Sequence, residues 1–526
     1  MLGQLNLIFR DITPLFALAG AFFLFGSICF CWRELKVFFS QLDKKTWVIL
    51  LVIFLAALII RLVVPVIYHR VYLDEIWYME TAKNIIETGS SGFYVKSIGW
   101  PFSVAIAFLL FGVKSSVAFY TSIFLGAATI FPVFFLTCII SAKEKLSLFF
   151  TFLFSLFPLH ILWSASGETN AAALFFVVWT IFFYFLYFKS EKNSYSLFWL
   201  SLASTSFASQ FRPEFYALYL LFFFGYFLYK KPLFNFERSD LKLIIPLILL
   251  VAISLPNLFV VLNFQLSQNW LMKESAGRLA GSNWSLDNLV KNSVDDGFGL
   301  FKNEPAVLLL SIMGVGYLFF KKRKEVLVLS LWFVLLWLIY FSSWMQTLTE
   351  KERIYNSFYP MLIIFSLFGF LFLEELLGKL LRRDFYKKTL TIIVLAVVSL
   401  LGIHSCSAFF ADYSYNQEYI LDVAIPHLAE KEIPQNCAII SLPHTALGAV
   451  GPYRFIYLES FLNNEVFRND IFNKNDCVLF FENLYCGWPG YGFIEQCQEI
   501  KDRFNGQVFK TYKIESAQNT FYKISK

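Results

Sequence analysis

The chain has 526 residues, 58% of them hydrophobic and only 16% charged, and it contains 65 phenylalanines. Soluble domains carry about 25% charged residues, so this composition excludes an ordinary water-surrounded core and points to a lipid bilayer as solvent. The net charge of +6 does not imply nucleic acid, because Lys and Arg gather in short blocks between apolar runs, as at Lys321, Lys322, Arg323 and Lys324.

Apolar stretches fall at about 14–32, 47–68, 117–140, 146–163, 171–188, 196–211, 215–229, 243–262, 305–320, 326–341, 359–376 and 389–410. The first lacks the small-residue cleavage site of a signal peptide and reads as a retained helix. With the N-terminus outside, the inner loops collect about half of the 44 basic residues, and the short outer turn at 164–170 holds none. This parity requires that residues 101–112 do not cross. Twelve residues rise only about 18 Å against an apolar thickness of about 30 Å, so they predict a re-entrant or interfacial helix. The expected fold is a polytopic α-helical membrane protein with about 12 transmembrane helices plus juxtamembrane helices. Three segments then face outward: 69–116, 263–304 and everything after 410. The chain divides into a membrane module, 1–410, and a C-terminal extracytoplasmic α/β domain, 411–526.

That tail has alternating apolar runs that read as strands, Ala438–Ile440 and Val478–Phe481 among them. Cys437 and Cys477 each open such a run, and adjacent strand starts bring two cysteines within disulfide range. Cys486 and Cys497 flank a turn-forming Gly-Trp-Pro-Gly. The pairs 437–477 and 486–497 are therefore expected outside the cytoplasm, with free thiols as the alternative. Zinc would need closer ligand spacing than is present.

The first outer loop carries adjacent carboxylates, Asp74 and Glu75, followed by Tyr78, Ala82 and Ile85 at helical spacing. Two readings fit. The pair caps a helix and meets its dipole, or it supplies a general base at the membrane surface. Arg61 lies inside an apolar span, where it either snorkels to the interface or meets an anion. His160 and His404 read as packing residues, and Trp100, Trp163, Trp270 and Trp344 as an aromatic belt.

Taken in order, Arg61-Leu62, Leu73-Asp74-Glu75, Tyr78, Ala82 and Gly89 resemble the opening of the GT-C-type glycosyltransferases that use polyprenyl-phosphate sugars. Protein O-mannosyltransferases and the aminoarabinose transferases of lipid A belong to this group. Lys96-Ser97-Ile98-Gly99-Trp100-Pro101 resembles their Lys/Pro segment, and Ser166-Gly167-Glu168-Thr169 their second acidic loop. Phe211-Arg212-Pro213-Glu214 and Glu352-Arg353-Ile354-Tyr355 resemble their later basic motifs. The likeness covers roughly 47–376. It departs in having one proline, Pro101, after the lysine, and one additional span before the acidic loop.

The resemblance implies an inverting transfer of a monosaccharide from a polyprenyl-phosphate donor to a hydroxyl of a protein, lipid or glycan acceptor, on the outer face of the cytoplasmic membrane. Asp74 would be the base, with Glu75 and Glu168 orienting the acceptor. Lys96, Arg212, Arg353 and Arg61 would hold the donor phosphate. No cofactor is required, and a divalent ion on Asp74 and Glu168 stays open. The rival reading is a flippase or transporter of lipid-linked sugars. Transporters place polar groups deep in broken helices, whereas the carboxylates here lie in a loop.

Overall fold

The computed structural model describes residues 2–63, 73–92, 97–190, 194–230, 241–267, 289–291, 293, 305–341, 355–380, 384–412, 429, 432–434, 436–442, 454–482, 486, 494–514 and 517–525. Helices dominate up to residue 412. They are α1 Leu2–Phe30, α2 Trp32–Ser40, α3 Lys44–Val63, α4 Leu73–Thr88, α5 Gly99–Phe111, α6 Ser115–Ala128, α7 Ile130–Ser141, α8 Glu144–Ser155, α9 Pro158–Ser164, α10 Asn170–Lys189, α11 Tyr195–Ala208, α12 Ala217–Tyr229 and α13 Leu241–Ser267. After them come α14 Pro305–Phe320, α15 Lys324–Phe341, α16 Tyr359–Leu380 and α17 Asp384–Asp412.

Among the described residues five helical segments are long and apolar enough to cross a bilayer: Asp11–Phe30, Lys44–Val63, Ser115–Ser141, Asn170–Lys189 and Asn356–Lys379. The bent pair α8 and α9 makes a sixth, with a turn of 63° at Leu156–Phe157. Among the described residues, some stretches expected as further spans form shorter apolar helices, Pro305–Phe320 and Ile392–Ala408 among them. The segment expected not to cross is α5, with 13 residues. α10 has phenylalanine or tyrosine at eight of its 20 positions and is buried along almost its whole length. Its rings pack against neighbours on α7, α11 and α12, including Phe182–Phe135, Phe176–Phe207 and Tyr187–Phe222. A helix that is apolar all round belongs at the centre of a bundle, and α10 is there.

The C-terminal part is a five-stranded mixed sheet. Its strands are β1 Cys437–Ser441, β2 Arg454–Tyr457, β3 Cys477–Glu482, β4 Gln507–Ile514 and β5 Ala517–Lys523, in the order β2-β1-β3-β5-β4. β1 pairs parallel to β2 and β3, and the other two contacts are antiparallel. Period-two alternation splits the core into two layers. Ala438, Ile440, Val478 and Phe480 meet Phe461, Ile471 and Phe504, which lie on α18 Leu458–Asn463, α19 Glu465–Lys474 and just beyond α20 Ile494–Arg503. Ile439, Leu479 and Phe481 meet Phe521 and Ile433 on the other face. Cys437 lies opposite Cys477 in register, and the two are joined with Cα atoms 4.4 Å apart. Cys486 is joined to Cys497 on the helix-covered face. Among the described residues Cys29, Cys31, Cys138 and Cys406 are free.

Candidate active site

Four segments converge at the end of the bundle where α3 leads to α4. Asp74 and Glu75 both fall in the first turn of α4, where the helix dipole favours negative charge. Their surroundings differ: Asp74 is half-buried, whereas Glu75 is fully buried. Opposite Glu75 runs the turn between α9 and α10. There Gly167 packs so closely that an added Cβ would stand 3.5 Å from Glu75 Cβ. Burial first, then the neighbouring Glu168, hold the Glu75 pKa well above the ordinary carboxylate value. The Gly167 amide opposes this, and the Asp74 charge adds a smaller push upward.

The turn is built by short-range hydrogen bonds. Ser166 Oγ donates to Trp163 O at 2.9 Å and accepts from the Glu168 amide at 3.2 Å, a serine turn that sets the carboxylate's direction. Asn170 Nδ2 then donates to Glu168 Oε2 at 2.7 Å. Glu168 is buried, with 1% exposure. From the other side Trp100 Nε1 donates to Gly167 O at 2.6 Å.

Trp100 and Trp163 are both buried, which corrects their assignment to an interfacial belt. Trp100 points inward because the start of α5 is stitched to two other segments. The Ile98 amide donates to Asn257 Oδ1 at 2.9 Å, and the Gly99 amide to Gln210 O at 2.8 Å. A Cβ at Gly99 would stand 2.9 Å from the Gln210 carbonyl, so only glycine permits this approach. Trp100 is thus a site residue that the belt reading missed, although it stands inside the Lys/Pro motif itself. His404, expected to pack, is exposed on α17, which lies at the bundle's margin.

Arg212 lies between α11 and a 3-10 turn at Pro213–Tyr216, and its side chain caps neither. It donates through Nη1 to Glu214 Oε1 at 3.1 Å and to Tyr340 OH at 3.2 Å, while Tyr340 donates to the same Glu214 oxygen at 2.5 Å. Burial disfavours its charge, but Glu214, Tyr340, Tyr78 and Glu168 outweigh burial and hold the pKa above the ordinary value. Arg212 therefore faces the acidic site with its charge already matched. Lys96 and Arg353 lie outside the described residues. Arg61 is fully buried rather than reaching an interface.

Among the described residues no group of three or more His, Cys, Asp or Glu side chains is placed to hold a metal ion. A divalent ion here would take most of its ligands from water or a phosphate, as magnesium does.

No protein-family model matches the sequence, and no curated protein matches it. Solved structures do. The crystal structure of ArnT from Cupriavidus metallidurans in the apo state superposes with a TM-score of 0.57 at 11% identity, covering 91% of this chain and 98% of that one. The same protein bound to undecaprenyl phosphate gives a TM-score of 0.54, again at 11% identity and the same coverage. The chain has the GT-C fold that its motifs resemble.

Proposed function

We propose that the chain is an inverting glycosyltransferase of the cytoplasmic membrane, with about a dozen crossings and its site and C-terminal domain, 411–526, on the outer face. Its donor is a monosaccharide on a polyprenyl phosphate, and its acceptor a hydroxyl of a protein, lipid or glycan. The observation that carries this reading is the pairing of buried Glu75 with Glu168 beside half-exposed Asp74 at one end of the bundle. The shared fold with ArnT, which has been seen with undecaprenyl phosphate, supports the lipid donor.

A hydroxyl is a poor nucleophile at neutral pH, so a carboxylate must take its proton as it attacks the anomeric carbon. Burial and the neighbouring Glu168 favour the protonated form of Glu75, which makes it the poorer base. Asp74, less buried and in the same helical turn, is the better one. Glu168, fixed by Asn170, orients the acceptor. On the far side of the sugar the bond to phosphate breaks, and cations offset the charge that develops there. Lys96 and Arg353 take that role together with Arg212, which also anchors the Glu168 side of the site through Tyr340 and Glu214.

Asp74→Asn keeps the size and the helix start but removes the base. Transfer by purified protein from a polyprenyl-phosphate sugar should fall about 10²–10⁴-fold, with lipid-phosphate binding retained. Turnover within a few-fold of wild type would return Asp74 to a helix-capping role.

A further inference from the structure

The far end of the bundle, opposite the carboxylates, carries a second polar region. α10 begins at Asn170, which holds Glu168, and its 20 residues reach about 30 Å to Lys189, close to the apolar thickness of a bilayer. α1 runs between the same two ends. Near its start Asp11 accepts from Ser90 Oγ, just past α4, at 2.6 Å, and beyond its last residue, Phe30, comes α2. α2 has nine residues and an exposed Trp32, with Arg33 and Lys36 close to the exposed Val37. That is the composition of a helix lying in the membrane surface.

Between α2 and the ends of α7, α10 and α11 lies an open pocket of about 590 Å³, within the range of small-molecule sites. Its lining is mixed. Arg33, Gln41, Lys189 and Ser190 supply polar groups, and most of the remaining wall is hydrocarbon, Phe38 and Leu186 included. A headgroup with the start of its chains asks for both kinds of surface.

The charges at this wall do not cancel. Glu34, also in the lining, accepts from Ser196 Oγ at 2.7 Å and from Ser194 Oγ at 3.4 Å, so its carboxylate is turned to the start of α11. Glu325 on α15 is shared by two cations, with Lys189 Nζ and Arg323 Nη2 each 2.8 Å from its Oε1. Behind the wall Lys230 donates to Ser190 O and, at 3.2 Å, to Ser190 Oγ. Among the described residues no carboxylate pairs with Arg33 or Lys230. The cations Arg33, Lys189, Lys230 and Arg323 thus outnumber the carboxylates Glu34 and Glu325.

We propose that this pocket binds the headgroup of an anionic phospholipid, at the membrane surface opposite the transfer site. The inference does not depend on the donor or the acceptor of that site. The Arg33 guanidinium meets the phosphodiester from the open side, where it can make two parallel hydrogen bonds, and Lys189 and Lys230 keep the opposite wall positive. The first methylenes of the chains pass Phe38 and Leu186. An excess of cations selects an acidic lipid over a zwitterionic one, and basic pockets between membrane helices on the cytoplasmic side recognise such headgroups. In the topology proposed above this end is the cytoplasmic one. The lipid ties α2, which joins α1 to α3, to the central helix α10.

The test is thermal unfolding of the purified full chain in an uncharged detergent, titrated with phosphatidylglycerol, with phosphatidylcholine and glycerol 1-phosphate in parallel. Phosphatidylglycerol should raise the Tm, and the other two should not. Arg33→Gln alters an exposed side chain and should weaken the apparent affinity about fivefold, the effect of one cation at a lipid surface. Lys36→Gln, on the same helix but outside the lining, should leave it within about twofold. Val37→Trp narrows the pocket without changing charge and should weaken binding as well, which separates the pocket from diffuse attraction. Equal losses in Arg33→Gln and Lys36→Gln would reduce the effect to general surface charge and overturn the pocket. Equal stabilisation by phosphatidylcholine would overturn the choice of an anion. Stabilisation by glycerol 1-phosphate at the same concentrations would overturn the choice of a lipid, and a wild type indifferent to phosphatidylglycerol would remove the site altogether.

Discussion

Glu75 occupies a position that water never reaches, and its charge is opposed by burial and by two other carboxylates. Its folded pKa is raised above the unfolded value near 4.5, so the folded state binds the proton more tightly. The stability this contributes is complete below about pH 4.5 and is lost as pH rises through the folded value. Glu75→Gln mimics the protonated form at every pH. The variant should therefore unfold at or above the wild-type Tm at pH 7–8 and show a flatter dependence above pH 5. A variant that loses several degrees at pH 8 would mean that an ionised Glu75 is part of the native structure. Transfer should survive in it within about tenfold, because Asp74, the base we propose, is left intact.

Helix packing carries the same kind of specificity at a larger scale. α14 and α16 cross with their backbones in contact: a Cβ at Gly314 would stand 1.8 Å from Phe365 O, and one at Gly369 1.8 Å from Leu310 O. Small residues let membrane helices approach this closely, and Ser311 and Ser366 use the closeness to reach each other at 2.9 Å. Gly369→Leu should force the pair apart and cost about 1–3 kcal/mol or more by overpacking. The measurement is retention of monodisperse protein on heating, with Gly316→Leu, which faces open space, as the control. Runs of phenylalanine made the α10 core legible in the sequence, because nothing but a bundle interior or lipid absorbs them. The bend between α8 and α9 was not read, since 146–163 looks like one apolar run, although Pro158 at the start of α9 marks the break. Asp74 and Glu75 were legible because adjacent carboxylates after a span are uncommon. The role of Trp100 was not, because an interfacial tryptophan and a buried donor look alike until the partner, Gly167 O, is placed. Arg61 carried both readings in the sequence; its full burial is what separates them.

For the molecule as a whole, the sheet and the membrane helices are joined near the site. Tyr457, the last residue of β2, donates to Glu80 Oε1 on α4 at 3.1 Å, two turns beyond the carboxylates. This contact supports the C-terminal part as a cover that helps select the acceptor while leaving the donor site to the helices. Tyr457→Phe should raise the acceptor KM severalfold with the donor KM unchanged, read from steady-state transfer under separate variation of the two substrates. A rise in the donor KM alone would mean that the sheet acts on the lipid side instead. The two disulfides lie on opposite faces of the sheet, so neither layer of its core relies on burial alone.

The 63° bend between α8 and α9 bears on how the chain is made. α8 has 12 residues and α9 seven, lengths of about 18 Å and 10 Å, and neither half spans an apolar slab of about 30 Å alone. α9 also brings His160 and Ser164 into that slab, and His160 finds its carbonyl on α6, a helix synthesised earlier. Together the two halves are apolar enough to cross as one broken span, and the bend is met by the helices they pack on. α6, which supplies the carbonyl for His160, precedes them in the chain, so the wall is made before the segment that completes it.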